Sequence, residues 1–144
     1  MIRQYTFIRQ DLNLSAGAAC VQAQHAILSL IFKVLNKLND FTWEIEDTHE
    51  GVVCAPGEER IRVYDTGDAN LEKWFNKSWV KVCLAVQGAD DLFAIADICD
   101  QNHITYTLIR DYVKGRNAKE YTCLAIEPID EKLAKKLFRR YPLY

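Results

Sequence analysis

Two arginine–aspartate pairs stand where strand-like segments end: Arg9-Gln10-Asp11 after QYTFIR, and Arg110-Asp111 after TYTLIR. A carboxylate placed there can orient a water or accept its proton. A guanidinium beside it can hold an anion. In open α/β sheets, ligands gather beyond the carboxyl ends of parallel strands. The segment 12–38, LNLSAGAACVQAQHAILSLIFKVLNKL, begins at the first pair. Within it Gln22, His25 and Ser29 fall at i, i+3 and i+7, so a helix puts them on one face. Ile27, Leu30, Ile31, Val34, Leu35 and Leu38 fill the other faces. A helix apolar on most sides that keeps an amide and an imidazole in line either satisfies them internally or aims them at a ligand. Convergence of these elements brings Arg9, Asp11, Arg110, Asp111, Gln22 and His25 around one crevice. The plainer alternatives are solvated ion pairs at the strand ends and a histidine satisfied within a core.

Basic residues cluster twice. Arg110, Lys114, Arg116 and Lys119 crowd the polar segment DYVKGRNAKEY, together with Tyr112 and Tyr121. Lys132, Lys135, Lys136, Arg139 and Arg140 follow near the C-terminus, beside Tyr141. Such groups neutralise phosphates while aromatic rings stack on bases. For the second cluster, a solvated helix face is an equal reading. No phosphate loop of the Walker type occurs, and no Ser-His-Asp or Cys-His arrangement can be placed by spacing. The five cysteines, Cys20, Cys54, Cys83, Cys99 and Cys123, include no CxxC pair. They read as reduced, buried thiols of a cytosolic protein, with no metal site and no cofactor implied. A formal net charge of −2 means that any nucleic-acid contact must be local. The N-terminal MIRQYTFIRQ lacks the apolar core and cleavage site of a secretory signal, and no apolar run is long enough to span a bilayer. The expectation is a cytoplasmic protein with no membrane partner.

The 144 residues fit one domain with a single core. Gln4 to Arg9 reads as the first strand, and Ser15 as the cap of a helix over 16–38. Gly17 allows close backbone approach at the positive end of that helix. Residues 40–68 are punctuated by Gly51, Pro56-Gly57 and DTGD, with short strand-like pieces at 41–46, 52–55 and 60–64. They read as an insertion. A short helix over 70–76 carries Trp74. WVKVCLAV over 79–86 is apolar enough for a central strand. Residues 89–101 form an amphipathic helix with Asp90 and Asp91 in its first turn. Strands follow at 105–110 and 122–126, the latter closed by Pro128, and Asp130 caps a last helix over 131–140. His103 falls at a helix end. This order predicts a three-layer α/β/α sandwich around a small, four-stranded mixed sheet.

These residues resemble the archaeal and eukaryotic, type-two peptidyl-tRNA hydrolases. FIRQDLNLSAG is similar to that family's strand, Arg-x-Asp-Leu and glycine turn. VQAQHA resembles its A-Q-C-S-H-A signature through Gln22, His25 and Ala26. Trp74 matches a tryptophan ahead of the second strand, TLIRD matches T-x-L-I-R-D through Asp111, and TCLAIEP matches the closing strand. The likeness covers 4–38 and 70–140. Two positions depart from it. The turn's lysine, a proposed catalytic residue in the family, is Ala18 here. The threonine of A-G-R-T-Q falls at Asn117 if the Gly-Arg pairs are aligned.

The resemblance implies hydrolysis of the ester between a peptide and the terminal ribose of tRNA. That reaction needs an oriented water, a proton acceptor and donors for the oxyanion. Asp111 would orient the water, with Gln22, His25 and Asn117 beside it. Arg9, Asp11, Arg110, Lys114, Arg116 and Lys119 would meet the tRNA. The alternative is a catalytically inactive member that binds tRNA or a protein partner. Members of the family often pair as dimers, so a homodimer is a further expectation.

Overall fold

The structure, a computed structural model, describes residues 1–39, 61–62 and 67–144. In chain order come β1 (Ile2–Arg9), α1 (Ala16–Asn39), β2 (Ile61–Arg62), α2 (Gly67–Lys73), a π-helical turn (Trp74–Ser78), β3 (Val80–Val86), α3 (Ala89–Gln101), β4 (Tyr106–Asp111), β5 (Glu120–Asp130) and α4 (Glu131–Phe138). The strand-like pieces expected at 41–46 and 52–55 lie outside the described residues. Of the piece at 60–64, Ile61 and Arg62 form β2.

The sheet runs β2-β4-β5-β1-β3. β1 pairs parallel with β3, while β5 is antiparallel to both β1 and β4. β1, β3 and β4 therefore point the same way, and their carboxyl ends share one edge of the molecule. Four strands form the mixed sheet that the sequence predicts. The two-residue β2 adds a fifth beside β4, pairing Ile61 with Thr107.

Alternation of side chains divides the core between the two faces of the sheet. Tyr5, Phe7, Leu84, Val86, Leu108, Leu124 and Ile126 meet α3 and α4 through Leu92, Ile95, Ala134 and Phe138. Ile8, Ile109, Cys123 and Ala125 meet α1 through Ala26 and Leu30. Leu71 and Trp74 pack against Ile27 and Ile31 of the same helix. This is the α/β/α sandwich.

Local chemistry sets the element ends. Ser15 Oγ accepts the Ala18 N–H at 3.2 Å, capping α1. Asp130 Oδ1 accepts the Lys132 N–H at 2.9 Å, capping α4. His103 takes a positive φ of 52° just after α3, where helices commonly turn left-handed. Trp79, at φ 53°, ends the π turn. Its indole stacks on Trp74 at 4.5 Å, a contact that offsets the backbone cost of a bulky residue in this region.

Two expectations are corrected. β5 does not stop at Pro128 but continues to Asp130. The register with β1 shifts between Arg3 and Tyr5, so Glu127 and Pro128 lie opposite an irregularity, and the missing proline N–H costs no ladder bond. The cysteines are not all buried: Cys99 and Cys123 are, but Cys20 and Cys83 are exposed. Cys83 lies on β3 at the margin of the sheet, where α1, packed mainly over β5 and β4, gives its side chain little cover. Cys54 lies outside the described residues.

Candidate active site

Asp111 is the last residue of β4 and is 7% exposed. Its carboxylate is held from two sides. The Tyr112 N–H donates to Oδ1 at 2.7 Å, and Gln22 Nε2 donates to Oδ2 at 2.9 Å. His25 Nε2 lies 3.8 Å from the same Oδ2. Gln22 and His25 arrive together because they are three residues apart on α1, one above the other. Gln22 is buried and His25 is half-exposed, so the imidazole borders solvent while the amide does not. Ser29, the third member of the stripe, sits one turn further along, buried and away from the carboxylate.

A second tier lies behind Gln22. The Thr122 hydroxyl donates to Gln22 Oε1 at 2.5 Å, and the Cys123 thiol donates to the Gln22 carbonyl at 3.3 Å. Burial pushes the Cys123 thiol up to about 12, so it stays protonated at neutral pH and can serve as that donor. Neither residue stands out in the sequence as part of a site. Both belong to an apolar strand motif whose register is invisible before pairing.

The Arg9–Asp11 pair forms a separate cluster. Arg9 Nε and Nη2 grip Asp11 Oδ1 and Oδ2 at 2.9 and 2.7 Å, while Nη1 donates to Glu120 Oε2 at 3.2 Å and to the Tyr121 carbonyl at 2.9 Å. The hydrogen bond to Asp11, with further help from Glu120, raises Arg9 above its ordinary value. The same bond from Arg9 holds the Asp11 carboxyl below the usual range. Two carboxylates thus spend the charge of Arg9, and the residue works as a tie between β1 and β5.

The remaining predicted residues divide by face and by loop. Arg110 lies over the Tyr121 ring at 5.5 Å, and Tyr121 packs on Phe93 of α3. Arg110 therefore faces the layer opposite to Asp111, as alternation along β4 requires. Lys114, Arg116 and Asn117 are exposed on the loop between β4 and β5. Buried Val113 anchors that loop, and a turn at Gly115, with φ 86°, closes through Arg116 N–H to the Val113 carbonyl at 3.0 Å. Arg116 Nη1 is 3.7 Å from Glu120, and Lys119 lies over the Tyr112 ring at 5.5 Å. Ala18 stands in the first turn of α1. A Cβ added to its neighbour Gly17 would meet nothing within 4 Å, so this helix end is open.

The structure therefore brings together Asp111, Gln22 and His25, and joins Arg9 to Asp11. It sets Arg110 on the other face and Asn117 on the exposed loop. Among the described residues no group of His, Cys, Asp or Glu could hold a metal ion.

In this α/β sandwich a buried, amide-held carboxylate stands at the carboxyl ends of the parallel strands, where it can orient a water or accept its proton. The model of the family described as Peptidyl-tRNA hydrolase PTH2 matches residues 2–144, and the chain belongs to that family. A peptidyl-tRNA hydrolase of Saccharolobus solfataricus is 20% identical over 138 residues, covering 95% of this chain and 94% of that one. A peptidyl-tRNA hydrolase of Sulfolobus acidocaldarius is 23% identical over 133 residues, covering 92% and 91%.

Proposed function

We propose that this chain hydrolyses the ester joining a peptide to the terminal ribose of peptidyl-tRNA, with Asp111 as the group that orients the water and takes its proton. The carrying observation is the Asp111 carboxylate, fixed by Gln22 at 2.9 Å and bordered by the half-exposed His25. In this reading the water oxygen bonds to the ester carbonyl carbon as its proton passes to Asp111. The bond from that carbon to the ribose oxygen then breaks. The ribose oxygen leaves with a proton, giving free tRNA and a peptide carboxylate.

Ala18 carries no charge, so another group must supply it. His25 is the basic side chain paired with Asp111, and in its protonated form it can donate to the leaving oxygen or to the oxyanion. The second Gln22 N–H and the exposed Asn117 amide are the neutral donors of this reading. Lys114, Arg116 and Lys119 neutralise tRNA phosphates from the loop beyond the site, while the Arg9–Asp11 pair ties the neighbouring strand ends and Arg110 stays on the far face.

Release of peptide from purified peptidyl-tRNA tests the assignment. Asp111→Ala is expected to lower turnover by about a hundredfold or more while the fold is kept. Unchanged turnover overturns the role of Asp111. An inactive native chain that gains activity on Ala18→Lys, while still binding tRNA, would make it a binding member of the family.

Three further parts belong to the same proposal. The chain is one domain with residues 40–68 inserted after α1, and the match over 2–144 supports the single domain. It works in the cytoplasm, where peptidyl-tRNA arises; among the described residues no helix is long and apolar enough to cross a membrane. It pairs as a homodimer, a reading supported by exposed Phe75 and Trp79 beside edge strand β3. A monomer in sedimentation equilibrium overturns the last.

A further inference from the structure

β5 carries an irregularity next to the site. Ile109 pairs with Cys123, but Arg110 pairs with Tyr121, so Thr122 is an extra residue with no partner on β4. Along β5, Cys123 and Ala125 face α1 while Leu124 and Ile126 face α3 and α4. Strict alternation would turn Thr122 away from α1. The bulge turns it back, so two successive side chains reach the same helix. Both end on the same residue: the Thr122 hydroxyl at Gln22 Oε1, and the Cys123 thiol at the Gln22 carbonyl.

The consequence concerns the amide. Gln22 can face Asp111 with either its nitrogen or its oxygen. With oxygen toward the carboxylate, two acceptors would oppose each other across the present 2.9 Å contact. A hydroxyl proton aimed at Oε1 favours the other rotation, in which Nε2 donates to Asp111. Thr122 is fully buried, so it touches neither substrate nor water and acts only through Gln22.

We infer that Thr122 is a positioning residue for the hydrolysis: the β5 bulge delivers its hydroxyl to Gln22, which in turn fixes the carboxylate of Asp111. This rests on the reading of Asp111 as the water-orienting group. The chain of hydrogen bonds is Thr122 to Gln22 to Asp111, and its far end lies beside the half-exposed His25. Thr122→Val keeps the shape and removes the donor, leaving Gln22 Oε1 a buried acceptor without its hydrogen bond and Asp111 alone to hold the amide. Thr122→Ser keeps the donor.

The test compares the native chain, Thr122→Val, Thr122→Ser and Asp111→Ala on peptidyl-tRNA, each with its thermal midpoint recorded. The Val variant is expected to lose about tenfold to a hundredfold in kcat with KM little changed, and the Ser variant to restore most of the loss. In parallel, nitrogen-15 NMR is expected to show the Gln22 side-chain amide protons slow to exchange in the native and Ser proteins and fast in the Val protein. Native kcat in Thr122→Val overturns the inference, as does equal loss in Val and Ser, which would mean packing alone. If Asp111→Ala keeps full turnover, the functional reading fails instead. If the native chain is inactive, the amide exchange decides: unchanged exchange in Thr122→Val overturns the positioning role.

Discussion

Asp11 and Asp111 carry the same group to the same end of the sheet, and their neighbours give them different work. Asp11 is gripped by a guanidinium through two hydrogen bonds, so it is neutralised and structural. Asp111 is held instead by two neutral N–H donors, the Gln22 amide and the Tyr112 backbone, with no guanidinium gripping it. The Asp11 pair has a pH signature. Arg9 holds the folded-state value of Asp11 below its unfolded one, so the contribution is present above the ordinary carboxylate range. It is lost as pH falls through the lowered value. Asp11→Asn should therefore flatten the acid limb of stability, measured by urea unfolding between neutral and strongly acid pH. With 42% of the Asp11 side chain exposed, the loss at neutral pH should stay under about 1 kcal/mol. Parallel acid limbs in the two proteins would contradict the account.

At the scale of elements, α1 does the positioning. It rises from the end of β1, carries Gln22 and His25 to the carboxyl end of β4, and is started by Ser15. Ser15→Ala should destabilise the chain by about 1 kcal/mol, read from the urea midpoint, because one N–H of the first turn loses its acceptor. An unchanged midpoint would mean that the open helix end is satisfied by water alone. Much at this scale was legible. The 3.6-residue pattern and the acidic first turn place α3 at 89–101, as observed. Gln22 and His25 on one face follow from spacing alone. The extension of β5 through Pro128, the bulge at Thr122 and the π-helical turn at 74–78 were not legible, since each depends on a partner strand or on the packing of Trp74 against α1.

For the whole molecule, a net charge of −2 leaves tRNA recognition to a local surface. Lys114 and Arg116 stand exposed on the loop that joins β4 to β5 just past Asp111. Replacing both by alanine should weaken tRNA binding and lower the salt slope of log Kd by about one per lost phosphate contact. Fluorescence titration over a series of salt concentrations measures this. Binding that ignores salt would point away from phosphate recognition. The tail adds a structural element at the same scale. Pro142 and Tyr144 bond the outer side of β3, with Ala85 N–H to the Pro142 carbonyl at 2.8 Å, and so cover part of an edge that would otherwise stay open.

The sequence by itself determined the layer architecture, the strand ends that carry Arg9 and Asp111, and the helix face that carries Gln22 and His25. Periodicity and local capping are short-range properties, and they are written in consecutive residues. Tertiary structure alone decided which charges remain available. Arg9 and Arg110 look alike in sequence, yet one is spent on Asp11 and Glu120 and the other lies over Tyr121 on the far face. It also decided that Thr122 turns toward α1, because the face a strand residue takes depends on register with its neighbours, and register is a relation between segments distant in the chain.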